Sequence, residues 1–296
     1  MPNMRRTMMF VPGNNPGMLQ NAGLYGADTV IFDLEDAVAV TEKDAARSLV
    51  ANALKSIKYP CETAVRINHI NTPFGYADLE AILAVRPDII RLPKAEFPAE
   101  MKEIDKIIIS AERKHGYPIG SIKMMAAIET AMGLLNAPAI ASVSPRMTAL
   151  AIGGEDFVAD LKTTRTKDGK EMFAARSQIV IAARAAGIQA IDSVFSDVND
   201  EAAFVTETTL AKELGFDGKS VINPRQVNIV HKIFTPSSSE IDYARRVLSA
   251  YQEALARKSG VIALNGKMID GPIVARAERV LAYAAAVGIY QEESKC

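Results

Sequence analysis

The sequence predicts an α/β fold: a closed (β/α)8 TIM barrel with a C-terminal helical extension. Three observations predict it. Eight short apolar, β-branched runs recur through the first three-quarters of the chain, separated by segments with helical spacing of apolar residues. Eight such units within about 235 residues match the ~250-residue scale of a closed barrel with right-handed crossovers. No GxGxxG or GxxxxGK(S/T) follows the first run, where Pro12-Gly13-Asn14-Asn15-Pro16-Gly17 is a turn-rich loop, and this argues against the runner-up, an open doubly wound sheet.

Taken in order, the strand candidates are Thr7–Val11, Thr29–Leu34, Thr63–Ile67, Asp88–Leu92, Lys123–Ile128, Thr148–Ile152, Gln189–Ile191 and Lys219–Ile222. Each is long enough for a strand and too short for an average helix. Helical candidates fill the gaps at Met18–Tyr25, Thr41–Lys55, Gly75–Ala84, Ala99–His115, Thr130–Ala141, Glu155–Leu161, Glu171–Ala186 and Asp200–Leu214. Thr235-Pro236-Ser237-Ser238-Ser239 then breaks the alternation. Beyond it, Glu240–Arg257 carries an apolar face of Ile241, Ala244, Val247, Leu248, Tyr251, Ala254 and Leu255, and a last helix is expected over Ile273–Ala286. The expected division is a barrel over 1–235 and a helical lid or oligomer-contact segment over 236–296.

Composition narrows the function. Lys+Arg 34 against Asp+Glu 35 gives a formal net charge of −1, so no overall basic field recommends nucleic acid or an anionic membrane as partner. No apolar run reaches membrane-spanning length and the N-terminus lacks a signal-type stretch, so a cytoplasmic location is expected. Cys61 and Cys296 lack a CxxC or His-rich neighbourhood, and His69, His115 and His231 are far apart, so nothing local suggests zinc.

In a parallel barrel the active site lies at the carboxyl ends of the strands. Polar residues concentrate there: Asp33-Leu34-Glu35-Asp36, Arg66-Ile67-Asn68, Pro93-Lys94, Glu129-Thr130, Gly153-Gly154-Glu155-Asp156 and Asn223-Pro224-Arg225. Crowded carboxylates repel one another unless protonated or bridged by a cation, and a hard divalent ion, Mg2+, relieves the conflict while supplying a Lewis acid. Glu129 and Asp156 can also be read as helix-terminal residues favoured by cap bonds and the helix dipole. Asp33, Glu35 and Asp36 can be structural partners of Arg66 or Lys94. Gly153-Gly154 is either a tight turn or an unobstructed row of N–H groups for a substrate carboxylate.

The stretches RRTMMFVPGNN, ADTVIFDLEDAV, ETAVRIN, DIIRLPKA, AAIETAMG, ALAIGGEDF, LGFDGKSVINPRQV and LNGKMIDGP, in that order, resemble the citrate lyase beta subunit family. That family sits within a wider group of malyl-CoA and citramalyl-CoA lyases, whose activities are the alternatives. The resemblance implies cleavage of a citryl thioester, on acyl carrier protein or CoA, to oxaloacetate and an acetyl thioester. It also implies an alpha subunit that exchanges acyl groups, a gamma subunit that is the carrier, and a homo-oligomer. By the same resemblance Glu129 and Asp156 hold Mg2+, Arg66 binds substrate, Gly154 and Glu155 cradle the oxo-acid carboxylate, and Asp270 of KMIDGP is the acid/base. Asp33, Glu35 and Asp36 are then expected to support them. Two rival readings remain at this stage: a Schiff base on Lys94, and a non-catalytic scaffold that only docks a thioester-bearing partner.

Overall fold

The computed structural model describes residues 4–256, 263–264 and 267–290. Of the residues singled out above, Arg257 and Cys296 lie outside them. The chain divides into two compact units, residues 1–231 and 232–296.

The first unit is a closed barrel of eight parallel strands in sequential order: β1 (Thr7–Pro12), β2 (Thr29–Asp33), β3 (Glu62–Arg66), β4 (Ile89–Leu92), β5 (Lys123–Ile128), β6 (Met147–Ile152), β7 (Gln189–Asp192) and β8 (Gly218–Val221). The helices are α1 (Pro16–Asn21), α2 (Lys43–Ser56), α3 (Gly75–Leu83), α4 (Pro98–His115), α5 (Ala131–Ala141), α6 (Gly154–Asp160), α7 (Lys170–Ala185), α8 (Glu201–Leu214) and α9 (Pro224–Phe234). Two short 3-10 turns, Ala22–Tyr25 and Val40–Glu42, flank α1 and α2. The expected Met18–Tyr25 helix is therefore an α-turn that tightens into a 3-10 turn.

Two helices, α6 and α7, lie between β6 and β7, so the alternation is not one helix per gap. The sequence reading assigned nothing to α9. It was legible: proline at the first helical position, then Val227, Val230 and Phe234 spaced along one face.

Strand period places the lumen in layers, because side chains two apart point the same way. At the amino ends of the strands Arg5 is buried, paired with Glu62 and hydrogen-bonded to Thr148 and Gln189, and so ties β3, β6 and β7 together. Above it, Met8, Ile31, Ala64, Ile89, Met125, Ala149, Ala151 and Ile191 form one buried apolar cluster. Two residues further along their strands stand Asp33, Arg66 and Arg91, and the register joins them directly: Asp33 faces Arg66, and Arg66 faces Arg91. The lumen thus turns from apolar to ionic within one strand repeat.

Outside the barrel wall, Arg176 of α7 pairs with Asp192 of β7, and Lys219 of β8 donates to Asp192 and to Glu207 of α8 at 2.7 Å each. Burial would penalise these charges singly; paired and hydrogen-bonded, they lock two helices to two strands.

In the second unit, α10 (Ser238–Ala256) packs on α11 (Gly271–Ala286), with Ala244 and Val247 against Ile269, Val274, Ala277 and Leu281. Leu255, placed on the apolar face by its spacing, is exposed. A two-residue antiparallel pair, β9 (Ala263–Leu264) and β10 (Lys267–Met268), precedes α11.

Candidate active site

The mouth of the barrel holds a cavity of about 330 Å3 whose lining includes Phe10, Asp33, Asp36, Arg66, Arg91, Glu129, Gly153, Gly154, Glu155 and Asp156. Of the residues singled out from the sequence, Asp33, Asp36, Arg66, Glu129, Gly153, Gly154, Glu155 and Asp156 are in this lining, whereas Asn68, Thr130, Asn223, Pro224 and Arg225 are not. Glu35 and Lys94 lie just outside the lining, where Glu35 bridges Lys94 and the lining cation Arg66.

Arg66 is the anchor. Its Nε and Nη2 donate to the two oxygens of Asp33 at 2.7 Å each, a bidentate pair, and Nη1 lies 2.9 Å from Glu35 and 3.2 Å from Asp36. Burial works against charge on Asp33, yet the Arg66 bonds and the N–H groups of Glu35 and Ala37 hold its carboxyl below the usual range. Burial is likewise outweighed at Arg66, whose pKa is pushed up by the same carboxylates. Arg66 is therefore a permanent cation fixed in orientation, with its ring neighbour Phe10 4.9 Å from the guanidinium carbon.

Glu129 follows β5 and is 2 % exposed. Its Oε2 is buried with no hydrogen-bond partner, and the nearest cation is the Lys94 ammonium at 3.8 Å. Burial, with the nearby charge of Glu35, pushes the Glu129 carboxyl up to about 8. Asp156, in the first turn of α6, is half-exposed and lies 3.7 Å from the same ammonium. Two carboxylates thus converge on one cation position.

These residues fit a hard divalent cation. An orphaned carboxylate oxygen with a second carboxylate beside the same cation position is the donor set Mg2+ accepts. Among the described residues no group of three or more His, Cys, Asp or Glu is arranged to hold a metal. The protein would therefore supply two carboxylates at most and leave the remaining positions to water and substrate oxygens, as Mg2+ tolerates.

Lys94 has φ +48°, a left-handed conformation unusual for a side chain of this size. Its Nζ donates to Glu35 Oε1 at 2.6 Å and lies within 3.9 Å of Asp36. Partial burial lowers its pKa, but the Glu35 bond and the surrounding carboxylates raise it further, so the amine is held protonated. A protonated amine is no nucleophile, and this argues against the Schiff-base reading.

Gly153 is required by its close approach to Glu129, and a side chain on Gly154 would displace the end of Arg165. A Cβ on Gly154 would lie 2.6 Å from Arg165 Nη1 and 3.1 Å from Ser193 Cβ. Glu155 pairs with that same Arg165 at 3.4 Å. Asp270 belongs to the second unit, where it is the N-cap of α11 and accepts from the Ile273 N–H at 3.2 Å. Of the two carboxylates open to a helix-terminal reading, Asp156 stands in a first turn and Glu129 caps nothing, the cap of α5 being Thr130.

Sequence reasoning missed Arg91 and Phe10 as lining residues. Arg91 had a signal: a charge inside the apolar run Ile89-Ile90-Arg91-Leu92 must face the lumen or a helix. It faces the lumen, with its guanidinium carbon 5.0 Å from the Phe10 ring centroid.

The sequence model of the HpcH/HpaI aldolase/citrate lyase family matches residues 6–224, the whole barrel. The chain belongs to this family. It is 50% identical over 291 residues to the citrate lyase subunit beta of Leuconostoc mesenteroides subsp. cremoris, covering 98% of this chain and 96% of that protein. Protein CitE from Mycobacterium tuberculosis, solved with magnesium, acetoacetate and coenzyme A, superposes with TM-score 0.78 at 33% identity over 95% of this chain and 98% of that one. The citrate lyase beta subunit from M. tuberculosis complexed with oxaloacetate and magnesium gives 0.67 at 33% identity, over 79% and 98%. No helix among the described residues is long and apolar enough to cross a membrane.

Proposed function

We propose that this family member is the beta subunit of a citrate lyase, a Mg2+-dependent carbon–carbon lyase that splits a citryl thioester into oxaloacetate and an acetyl thioester. The observation that carries the proposal is the adjacency, in one cavity, of a fixed cation, Arg66, and a two-carboxylate cation site, Glu129 with Asp156. A substrate with a hydroxyl, carboxylates and a thioester needs both. The half-identity to a citrate lyase beta subunit over nearly the full chain selects citryl over malyl and citramalyl thioesters.

The reaction removes the proton of the citryl hydroxyl, breaks the C–C bond as that oxygen becomes the oxaloacetate carbonyl, and leaves the electron pair on the thioester α-carbon, which then takes a proton. Glu129 and Asp156 would hold Mg2+, which when bound supplies Lewis acidity toward the hydroxyl and neighbouring carboxylate oxygens. Arg66, held by Asp33, Glu35 and Asp36, orients substrate negative charge and stays charged at any working pH. Gly154 and Glu155 offer backbone N–H groups to the oxo-acid carboxylate, unobstructed at the glycine. Asp270, the acid/base of this reading, takes up the hydroxyl proton and returns a proton to the acetyl carbon.

The partners of this reading are an alpha subunit for acyl exchange and a carrier gamma subunit, in a cytoplasmic assembly that contains several copies of this chain. Residues 236–296 serve it as lid, oligomer contact or both.

The test is cleavage of citryl-CoA with added Mg2+, followed through oxaloacetate by coupled malate dehydrogenase. Activity that survives full chelation, or is unchanged in Glu129→Gln, sinks the metal assignment. Full turnover in Asp270→Asn removes that residue from the mechanism. A protein that binds the thioester yet never cleaves it is the scaffold.

A further inference from the structure

Five arginines of the barrel are buried, and four of them have carboxylates: Arg5 has Glu62, Arg66 has Asp33, Glu35 and Asp36, Arg146 has Asp105 and Glu112, and Arg176 has Asp192 and Glu207. Arg91 is the fifth. It is 2 % exposed, and among the described residues no carboxylate lies within ion-pair distance of it. Its Nε has no hydrogen-bond partner, and Nη1 finds only the Met125 sulfur at 3.8 Å.

A buried guanidinium without a counter-ion is costly, and a chain gains nothing in stability from keeping one. The neighbourhood adds to the cost. Phe10 carries Arg66 and Arg91 at 4.9 and 5.0 Å from its ring, so two like charges share one aromatic platform. Burial and the charge of Arg66 together bring the Arg91 pKa down to about 10. At neutral pH it is still a cation, and it lines the cavity. Arg66, by contrast, already has carboxylates on each of its three nitrogens.

We propose that Arg91 is the specificity-determining residue of the site: it takes the second carboxylate of a dicarboxylate oxo-acid half, and so selects citryl thioesters over those that yield a monocarboxylate oxo-acid. The inference rests on the lyase reading above. In that reading one carboxylate of the oxo-acid is bound at the metal and the Gly154 backbone. A citryl substrate brings one carboxylate more than a malyl or citramalyl substrate, and Arg91 is the lumen cation with unfilled donors. A monocarboxylate product such as pyruvate leaves it unpaired, and a site with an unpaired buried donor rejects such a ligand strongly.

The experiment compares the full-length wild type with Arg91→Met and Arg91→Lys. Equilibrium binding of fresh oxaloacetate and of pyruvate is measured calorimetrically with Mg2+, alongside kcat/KM for citryl-CoA and citramalyl-CoA. Arg91→Met is expected to lose between about tenfold and a hundredfold in oxaloacetate affinity and in citryl-CoA kcat/KM, the worth of hydrogen bonds to a charged group. Pyruvate affinity and citramalyl-CoA cleavage are expected to hold or rise, and Arg91→Lys to recover part of the oxaloacetate affinity. Ligand-free Arg91→Met should melt no lower than the wild type, because an unpaired buried charge has been removed; should it fail to fold, the Arg91→Lys comparison carries the test. An oxaloacetate-over-pyruvate preference that survives in both variants overturns the assignment, and so does an equal loss of both ligands. A wild type that prefers oxaloacetate but does not cleave citryl-CoA sinks the lyase reading and leaves the binding comparison to decide Arg91.

Discussion

Gly153 lies against Glu129 so closely that a Cβ built on it would sit 2.5 Å from Glu129 Cγ and 2.9 Å from Oε1. The backbone cannot retreat, because the Gly153 N–H donates to the Ile128 carbonyl at 3.0 Å and fixes β6 beside β5 at that level. Gly153→Ala must therefore push the Glu129 side chain away from the Asp156 side of the cavity. The expected result is a loss of about tenfold to a hundredfold in Mg2+ affinity, the usual range for disturbed support of a metal ligand, with a matching loss of citryl-CoA cleavage. Titration calorimetry with Mg2+ reads it; an unchanged affinity would show that Glu129 is not a ligand.

Lys94 holds a positive charge 3.7 to 3.8 Å from both proposed metal ligands. Like charges compete for one place, so Lys94→Met is expected to bind Mg2+ several-fold more tightly than the wild type in the absence of substrate, a modest gain because the ammonium is partly solvated. Weaker binding by the variant would mean that Lys94 organises the carboxylates instead. Borohydride with oxaloacetate should leave no adduct on the wild-type chain, since the amine is held protonated by Glu35.

At the opposite end of the barrel, Glu112 is fully buried and accepts from Arg146 Nη1 and Nη2 at 2.8 and 2.9 Å and from the N–H groups of Gly120 and Ile122 at 2.9 Å each. Glu112→Ala takes from Arg146 its bidentate partner, leaving Asp105 on Nε alone, and leaves the Gly120 and Ile122 N–H groups without their acceptor; it should cost about 3–5 kcal/mol in urea unfolding. Replacing both partners, as in Glu112→Leu with Arg146→Met, should restore part of that, the Gly120 and Ile122 N–H groups and Asp105 remaining without their partners. A double variant as unstable as the single one would count against the buried-charge explanation.

His231 ties α9 to β1 through Thr7 Oγ1 at 2.9 Å. Burial lowers its pKa below 6.5, against the pull of Asp28 Oδ1 at 3.5 Å. Between that lowered value and 6.5 the unfolded chain binds more protons than the folded one. The stabilisation is present in full above 6.5 and is lost as pH falls through the folded-state pKa. The wild-type melting temperature should drop more steeply between pH 7 and pH 5 than that of His231→Gln; equal slopes would contradict the burial argument.

The eight strands were legible because each is a short apolar run closed by polar residues, and the site because strand ends gather in a barrel. Asp33, Arg66, Glu129 and Asp156 all came to the mouth on that argument alone. Both helices between β6 and β7 were expected, over Glu155–Leu161 and Glu171–Ala186, whereas α9 behind Asn223-Pro224 was passed over although its proline and apolar face were there to read. The sequence named Glu35 as a partner for Arg66 or Lys94; that it serves both at once, across 31 and 59 positions, depends on barrel closure. Arg91 was visible as a misplaced charge, but only the packing shows that no carboxylate among the described residues pairs with it.

Asp33, Arg66 and Arg91 stand on the strands themselves rather than on the loops above them. Because strand side chains alternate inward and outward, deleting or inserting a single residue within β2, β3 or β4 would turn the carboxylate or guanidinium into the helical shell and an aliphatic neighbour into the cavity. Only the connecting segments can therefore change length without inverting the site: the chemistry is set by strand parity, and loop changes can retune what enters the mouth.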